Sequence, residues 1–463
     1  MGDFRSRRNI LQRRSHSSLH VALRSLQPAT QIQAESPVLV VLGGINPEDP
    51  MREDLGSAVL RYLFDDDEWQ LCCFMPQARS YHTTALVRNR IYVFGGFNLD
   101  ALEYQGPTPS AHCFCLDIER MVWKKCPPMK QARACHVCVV IGPRIYVVGG
   151  KDNTGRITDT AEYFDVGTGC WRSISNLPLP LMASAAAYLD CRIWILGGIT
   201  YSTAGDRCNV ISDVFQFDLQ EGRWFRSVGL WMPLAYSLAL TTTDSSSGEQ
   251  RLWLWGGMDG DGRSVGELRL WKPDRRAWKS YFRLQRPRHA FSGAAKGDLL
   301  CIVGGTESRS SPAASDANTQ VDVAVKEVHS ACPLPYPLTG TSALAIPAQE
   351  RPPSFRTAKQ SDDDSTDESA YKMRTVYRRY RQRVKVKDED ESTDSQFPAV
   401  GVYETTRILD STFDSSRIRR QEISREKSPT HGTKEERLAV ELRDDSRQRR
   451  KELEKKRVCH HAA

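Results

Sequence analysis

The chain has 463 residues, a formal net charge of +7 and 40% hydrophobic residues, enough for one large folded domain with charged flanks. No window approaches eighteen apolar residues, so the sequence predicts no transmembrane helix. The thirteen cysteines show no even spacing that would indicate a disulfide framework. They are expected to be reduced, buried thiols of a cytoplasmic protein in the cytosol or cytoskeleton, with the nucleus as the alternative compartment.

Residues 1–36 form the first predicted segment, a basic linker expected to be disordered. It contains six arginines against Asp3 and Glu35. Met1-Gly2 with Ser6 fits a loose template for myristoylation, and an Arg- and Ser-rich, acid-poor composition is typical of transit peptides. An ordinary linker is the competing interpretation, because the first predicted strand follows at once from Pro37.

Six Gly-Gly pairs recur through residues 37–347 at a period near fifty, each closing a short hydrophobic strand such as VLVVLGG or IYVFGG. Their first glycines are Gly43, Gly95, Gly149, Gly197, Gly256 and Gly304. In five units a tryptophan follows, with a large apolar residue seven positions before it and turn formers between them. This spacing predicts a strand, a tight turn and a strand. The pairs are Tyr62/Trp69, Leu116/Trp123, Phe164/Trp171, Phe217/Trp224 and Trp271/Trp278.

Residues before the glycines recur as well. Arg79, Arg133 and Arg288 all stand at the same distance before the first glycine of their pair, and His82 and His136 each follow an arginine by three positions. They indicate an inner strand, which completes a unit of four strands. A lone four-stranded sheet cannot bury both faces, whereas sheets stacked radially around an axis can. The predicted fold is therefore all-β, with six four-stranded antiparallel sheets.

The double glycine, the large apolar residue and the tryptophan seven positions later resemble the kelch repeat, whose period is near fifty residues. This resemblance covers residues 37–347 and implies a six-bladed kelch β-propeller. Three departures stand out: the sixth unit has no tryptophan, the fourth has Leu181 and Ser184 where others have Arg and His, and the fifth carries an insertion at 241–250. The sixth blade is expected to be the least stable.

The late segment Ser342–Ile346 is predicted to form the inner strand of the first blade, beside Val38–Leu42. It aligns with the inner strands HTTALV and HVCVVI of later units. Such a splice would join both ends of the domain and remove exposed sheet edges.

Residues 348–463 form a charged tail, expected to be mostly disordered because it lacks the apolar content for a core. A solvated helix is predicted near 434–457. The basic run at 371–387 interleaves three tyrosines with arginines and lysines. This run fits nucleic-acid contact, a nuclear localisation patch or a solvated segment. Nucleic-acid binding is the weaker interpretation, because no folded nucleic-acid-binding domain accompanies the run.

No catalytic motif stands out, and the sequence predicts no enzyme, no cofactor and no metal site. Cys135 and Cys138 have CxxC spacing, but within a strand they point to opposite faces. An enzyme of the galactose oxidase type would need copper-binding Tyr and His at the mouth of the ring, and no convincing set is present.

The candidate binding site is the end of the ring where loops enter the inner strands and leave the Gly-Gly strands. The positions fourteen before each Gly-Gly, with allowance for the insertion in the fifth unit, are expected to look into this mouth: Tyr81, Cys135, Ala183, Tyr236 and Ala290, with Thr339 in the spliced strand. Residues after the glycines are expected to rim it, including Ile45 and Asp152. The predicted partner-binding residues are Tyr81, Phe97, Asn98, Cys135, Lys151, Asn153, Tyr236, Met258 and Asp259. Mixed aromatic and amide groups favour a protein or peptide partner.

The arrangement most resembles the kelch-like proteins, in which BTB and BACK domains precede a propeller that recruits substrates to cullin-based ubiquitin ligases. Only the segment 1–36 precedes the propeller here, too short for a BTB domain, so a cullin complex would require a BTB region supplied elsewhere. The resemblance implies a non-enzymatic substrate-recognition module. The alternative is an actin-binding or cytoskeletal scaffold, because kelch proteins include actin binders.

Overall fold

The computed structural model describes residues 26, 29, 31–48, 53–99, 107–202, 207–244, 247–307 and 313–348. The basic run at 371–387, the helix expected near 434–457 and most of the predicted linker lie outside these residues. Within the described ranges, no helix is long and apolar enough to cross a bilayer.

Six four-stranded antiparallel sheets make up most of the described chain, numbered 1 to 6 from the N-terminus. Sheet 1 contains β27 (Ser342–Ile346), β1 (Val38–Leu42), β2 (Ala58–Leu63) and β3 (Glu68–Phe74). Sheet 2 contains β5 (Thr83–Val87), β6 (Arg90–Phe94), β9 (Cys113–Asp117) and β10 (Val122–Cys126). Sheet 3 contains β11 (Val137–Ile141), β12 (Arg144–Val148), β13 (Ala161–Asp165) and β14 (Cys170–Ile174).

The remaining sheets repeat the same plan. Sheet 4 contains β15 (Ala185–Leu189), β16 (Arg192–Tyr201), β17 (Cys208–Asp218) and β18 (Arg223–Arg226). Sheet 5 contains β19 (Leu238–Thr243), β20 (Gln250–Trp255), β21 (Glu267–Lys272) and β22 (Ala277–Arg283). Sheet 6 contains β23 (Ser292–Lys296), β24 (Leu299–Val303), β25 (Asn318–Asp322) and β26 (Glu327–Ala331). A small sheet of β4 (Arg79–Ser80), β7 (Phe97–Asn98) and β8 (Thr108–Pro109) and a short helix α1 (Glu53–Ser57) complete the described elements.

The predicted splice between the two ends of the folded region is confirmed. β27 pairs with β1 in the antiparallel register from Val38↔Ile346 to Leu42↔Ser342. Ile346 is fully buried, so the late segment is an integral inner strand of sheet 1.

The inner strands of the six sheets contact one another in the order β5, β11, β15, β19, β23 and β27, and β27 returns to β5. The hydrophobic core lies between neighbouring sheets: one cluster joins Leu196 of sheet 4 to Leu254 of sheet 5, and another joins Leu39 of sheet 1 to Val303 of sheet 6. This packing buries both faces of each sheet, which a single sheet could not do.

The recurring spacing between arginine and glycine has a direct structural cause. Arg79 Nη1 donates to the Gly95 carbonyl at 3.0 Å, and Arg133 and Arg288 make the same bond to Gly149 and Gly304 at 2.7 and 2.8 Å. Gly95 itself has a φ of +56°, and a Cβ there would lie 2.4 Å from the Arg133 carbonyl oxygen. Glycine is therefore required by both backbone conformation and space.

Tryptophans of the repeat join neighbouring sheets. Trp69 Nε1 donates to the Cys332 carbonyl at 2.9 Å, Trp171 to Pro127 at 2.9 Å and Trp224 to Ser175 at 2.8 Å. In each case the acceptor belongs to the chain just after the outer strand of the adjacent sheet. The large indole ring thus supplies buried area and a hydrogen bond at the same place.

The packed region begins upstream of the boundary predicted at Pro37. Ala29 and Ile32 are buried in the cluster between sheets 1 and 2. The Ala29 N–H donates to the Leu71 carbonyl at 3.0 Å, and Arg61 Nη1 donates to the Gln31 carbonyl at 2.7 Å. The part of the linker that the structure describes is thus tied to sheet 1 rather than free of it.

Candidate functional site

A closed ring of backbone hydrogen bonds lies at one end of the inner strands, where each strand is entered. Its six N–H groups each donate to the equivalent residue of a neighbouring sheet: Tyr81 to Gly340 (2.7 Å), Cys135 to Tyr81 (3.0 Å), Ala183 to Cys135 (2.8 Å), Tyr236 to Ala183 (2.7 Å), Ala290 to Tyr236 (3.1 Å) and Gly340 to Ala290 (3.1 Å). We call this end of the sheets the mouth face. Five of the six mouth positions predicted from the sequence belong to the ring.

The sixth position is occupied by Gly340, so the prediction of Thr339 was wrong by one position. Thr339 is buried, and its hydroxyl donates to the Ala290 carbonyl at 3.3 Å. The other five positions were found by counting fourteen residues back from a Gly-Gly pair. This count cannot be made for the sixth, because β27 and the Gly-Gly strand β1 lie at opposite ends of the described chain.

All six residues of the ring have left-handed backbone conformations. The φ angles are 51° at Tyr81, 54° at Cys135, Ala183 and Ala290, 53° at Tyr236 and 62° at Gly340. For the five non-glycine residues this conformation costs roughly 1–2 kcal/mol each. The bonds to neighbouring sheets hold the chain in it, and the strain repeats around the whole mouth.

The structure brings Tyr81, Cys135, Phe97 and Tyr236 together beneath the mouth face. The Tyr81 ring lies 6.0 Å from both the Phe97 and the Tyr236 rings, edge to face in each case. Phe97 and Tyr236 are buried, at 4% and 8% exposure, and Tyr81 and Cys135 are half-buried. Desolvation raises the pKa of Tyr236 well above its ordinary value and that of Cys135 to about 12. These groups form an apolar, uncharged floor.

Residues directly after the glycines tie this floor to the Gly-Gly strands. Phe97 pairs with Ser80, Lys151 bridges to Ala134, and Met258 bridges to Ala235. Met258, at 5% exposure, is part of the floor rather than the rim. Of the predicted binding residues, Asn153 is exposed, Asn98, Lys151 and Asp259 are half-buried like Tyr81 and Cys135, and Phe97, Tyr236 and Met258 are buried.

Two loops of sheets 3 and 5 project from the mouth face with the same internal bonding. Asp152 Oδ1 accepts hydrogen bonds from the N–H groups of Thr154 and Arg156, at 2.8 and 3.0 Å. Asp259 Oδ1 accepts from the N–H groups of Asp261 and Arg263, at 2.9 and 2.8 Å. Partial burial raises the pKa of Asp152, but its hydrogen bonds with Thr154 and Arg156 outweigh this and lower it overall. These carboxylates brace their own loops.

The hairpin of β16 and β17 is a part of the mouth face that the sequence did not predict. Its pairing continues past Gly198 to Tyr201 and Cys208. Ile199 and Val210 pack in the same cluster as Tyr236 and Met258, and Tyr201 Oη accepts the Ile157 N–H at 2.8 Å. The hairpin therefore packs against the floor. The alternation of apolar and polar residues in GITY and CNVIS could have predicted this extension. It was missed because each strand was expected to end at its Gly-Gly pair.

The described residues contain no group of three or more His, Cys, Asp or Glu side chains that could hold a metal ion. Cys138 lies apart from Cys135, with its thiol donating to the Thr84 carbonyl at 3.2 Å. His82 and His136 occupy equivalent buried positions, and His136 Nε2 lies 2.9 Å from the Thr83 hydroxyl.

Comparison with known proteins agrees with this architecture. Residues 29–229 match the family model described as the KLHDC2/KLHL20/DRC7 Kelch-repeats domain. Beta-scruin and alpha-scruin of Limulus polyphemus are 27% and 28% identical, each over 77% of this chain and over 41% and 42% of their own length. Kelch-like protein 36 of Mus musculus is 28% identical over 42% of this chain and 30% of its own.

A solved structure titled "Structure of YjhT" superposes on 65% of this chain and 100% of that one, with a TM-score of 0.50 and 16% identity. The fold is thus all-β and of the kelch β-propeller type. Residues 29–229 thus match a kelch-repeat domain, and the chain is similar to scruins and kelch-like proteins; it spans less than half the length of the curated relatives named above.

Proposed function

We propose that this chain is a non-enzymatic protein-binding module of a cytoplasmic protein, in which the six sheets are the blades of one closed propeller and a partner docks on the mouth face. The hydrogen-bonded ring from Tyr81 to Gly340 is the observation that carries the proposal. It supports closure, because every inner strand is linked to two others, and it holds the loops of all six sheets around one apolar floor.

The partner contacts the rim of the mouth rather than its floor. Phe97, Tyr236 and Met258 are too buried to be contacted directly, and their packing fixes the loops above them. Asn98, Lys151, Asn153 and Asp259 supply amides and charges at the surface. A rim of this composition on a rigid support suits recognition of a protein or peptide by hydrogen bonds.

Substrate recognition for a cullin-based ubiquitin ligase is the specific role that the resemblance to kelch-like proteins suggests. The described domain would provide the recognition part of such a complex, which also requires a BTB region. The mouth face would then hold a segment of the protein to be ubiquitinated.

An affinity capture with the full chain tests the binding face. Lys151→Glu combined with Asn153→Arg alters the rim, and Arg88→Glu combined with Asn89→Arg makes equivalent charge changes in the exposed β5–β6 turn at the opposite end. We expect the rim variant to bind its specific partners at least tenfold more weakly, a loss of about 1.4 kcal/mol of binding free energy. Equal capture by the rim variant, or loss with the β5–β6 variant alone, would contradict the proposal.

Actin or another filament is a second candidate partner. The alignments that extend over 77% of this chain are to scruins, whereas a kelch repeat and BTB domain-containing protein 2 of cowpox virus aligns over 37%. Cosedimentation of the full chain with filamentous actin tests it: pelleting that the rim variant abolishes would support filament binding through the mouth face, and no pelleting would exclude it.

A further inference from the structure

A segment upstream of β1 packs across the outer edge of sheet 1. Its described residues, which we call the strap, are Leu26, Ala29 and residues 31–33. Leu26 packs against the hydrophobic cluster between sheets 1 and 6, whereas Ala29 and Ile32 are buried in the cluster between sheets 1 and 2. The strap therefore contacts both faces of sheet 1.

Backbone hydrogen bonds hold the strap on the sheet. The Ala29 N–H donates to the Leu71 carbonyl of the outer strand β3 at 3.0 Å. Arg61 Nη1, on β2, donates to the three successive carbonyls of residues 31–33, at 2.7, 3.2 and 3.1 Å. Because every peptide has these backbone groups, the contacts select an extended main chain rather than a particular sequence.

Two apolar side chains of the strap supply selectivity for sequence. Ala29 is 2% exposed and Ile32 is 0% exposed, whereas Gln31 between them is exposed. The groove thus takes a small residue and, three positions later, a branched aliphatic residue. Main-chain bonds that give affinity and pockets that give selectivity are the means by which sheet edges recognise peptides.

Arg61 is a feature of sheet 1 alone among the five units that contain the repeat tryptophan. Its guanidinium is buried and is fixed from the sheet side by Gln70, whose Oε1 accepts from Nε at 2.9 Å and from Nη2 at 2.7 Å. Without a peptide in the groove, Nη1 would lose three acceptors, and an unpaired buried donor is costly. At the same distance before the tryptophan the other units have uncharged residues: Cys115, Tyr163, Gln216 and Leu270.

The strap is an added cover rather than a member of the four-stranded sheet. β3 has no exposed residue, whereas β10 and β14, the outer strands of sheets 2 and 3, each have three exposed residues of five. The pairing of β3 with β2 and of β1 with β27 is formed without the strap. The strap can therefore leave the groove without breaking a strand pair of sheet 1.

We propose that this groove is a second peptide-binding site, built from other residues than the mouth face, which the strap occupies as an intramolecular ligand. Its external ligand is an extended peptide with a small residue followed three positions later by a branched aliphatic residue. Because the strap belongs to the same chain, its effective concentration at the groove is high, and it competes with any external peptide. The site is independent of the function proposed for the mouth face.

Titration of the full chain with a fluorescently labelled peptide of residues 25–36 tests the proposal. Ile32→Ser in the chain removes the main apolar anchor of the strap. This variant should bind the peptide at least about tenfold more tightly than the unaltered chain, because the intramolecular competitor is weakened. Adding Arg61→Met to Ile32→Ser should weaken binding about tenfold, because the donors to the peptide carbonyls are lost.

The peptide itself offers a matched pair of serine substitutions. Gln31→Ser in the peptide changes an exposed position and should leave its affinity for the Ile32→Ser chain unchanged. Ile32→Ser in the peptide removes the buried anchor and should weaken binding about tenfold. Equal affinity of these two peptides, equal affinity of the unaltered and Ile32→Ser chains for the unaltered peptide, or no binding to either chain would overturn the proposal.

Native-state hydrogen exchange of the unaltered chain tests release of the strap even if Ile32→Ser fails to fold. The Ala29 amide should exchange at least about tenfold faster than the paired amides of β1, because the strap opens while sheet 1 stays intact. Exchange of Ala29 as slow as that of β1 would mean that the strap leaves only when the sheet unfolds, and would overturn the proposal.

Discussion

Buried charged and titratable side chains recur at fixed places in the repeat, and their roles are set by the backbone groups around them. Arg133 is 1% exposed, yet its guanidinium bonds to the carbonyls of Gly149 and Thr160 and forms an ion pair with Glu162 at 3.2 Å. A buried cation is tolerated only when it is paired and hydrogen-bonded in this way. The arginines therefore act as internal clamps of the Gly-Gly strands.

Buried histidines just before the inner strands should make the fold acid-sensitive. Desolvation lowers the pKa of His82 to about 3 and that of His289 to about 4, and lowers that of His136 well below 6.5. Because the unfolded chain binds these protons at a pKa near 6.5, stability is fully present above that pH and declines as pH falls from about 6.5 towards 4. Between pH 7 and pH 5 each buried histidine should remove about 2 kcal/mol from the free energy of unfolding.

Urea unfolding at the two pH values measures this loss. His82→Asn should reduce the difference between pH 7 and pH 5, whereas His329→Asn, which alters a surface-exposed histidine, should leave it unchanged. The same pH dependence in both variants would show that buried histidines are not its source.

The residues that build the repeat could be predicted, and their spacing located five of the six ring positions, but the backbone conformation of the ring and the burial beneath it could not be predicted. Glycine lacks a Cβ and tryptophan has a large indole ring, so the structural position of each can be predicted from the sequence. Tyr81, Cys135 and Ala183 share no such property; their common φ near +50° arises from hydrogen bonds to other sheets, which local sequence does not report. For the same reason the burial of Phe97 and Met258, predicted as contact residues, became evident only from their bridges to Ser80 and Ala235.

At the scale of secondary structure, period and alternation located the strands of all six units and the pairing of β27 with β1. They failed where packing between distant segments decides the outcome. The polar stretch around Gln31 was assigned to a linker because its sequence lacks strand character, yet Arg61 binds its carbonyls at 2.7 to 3.2 Å. The extension of β16 beyond Gly198 likewise depends on the floor beneath it.

Loss of β27 should disrupt the whole ring rather than a single strand. Truncation after Leu338 removes Gly340 from the hydrogen-bonded ring and exposes the edge of β1. We expect a loss of cooperative unfolding or a fall in Tm of more than about 10 °C, since a ΔΔG of 1 kcal/mol shifts the Tm of a large domain by about 2–4 °C and a buried strand contributes several kcal/mol.

Truncation after Ala348 is the control, because it removes the charged tail and keeps β27 intact. Its Tm should match that of the full chain. Equal melting of the 338 and 348 truncations would mean that the splice contributes nothing to stability.

At the scale of the whole molecule, the fold and the proposed binding surface depend on the same cyclic contact of the inner strands. Inner strands in cyclic contact place the loops of six sheets on one face, and the ring of backbone bonds fixes the height of the floor beneath them. Under the proposed function, variation of the rim would change the partner without changing the framework, as expected for binding loops on a rigid scaffold.

Native-state hydrogen exchange of the six ring amides tests this closure most directly. If each N–H of Tyr81, Cys135, Ala183, Tyr236, Ala290 and Gly340 is bonded to a neighbouring sheet, all six should exchange slowly and with similar free energies of opening, because the ring opens only when sheets separate. Rapid exchange at Tyr81 or Gly340 while the other four stay protected would mean that the ring is open between sheets 1 and 2 or between sheets 6 and 1, and would contradict the account.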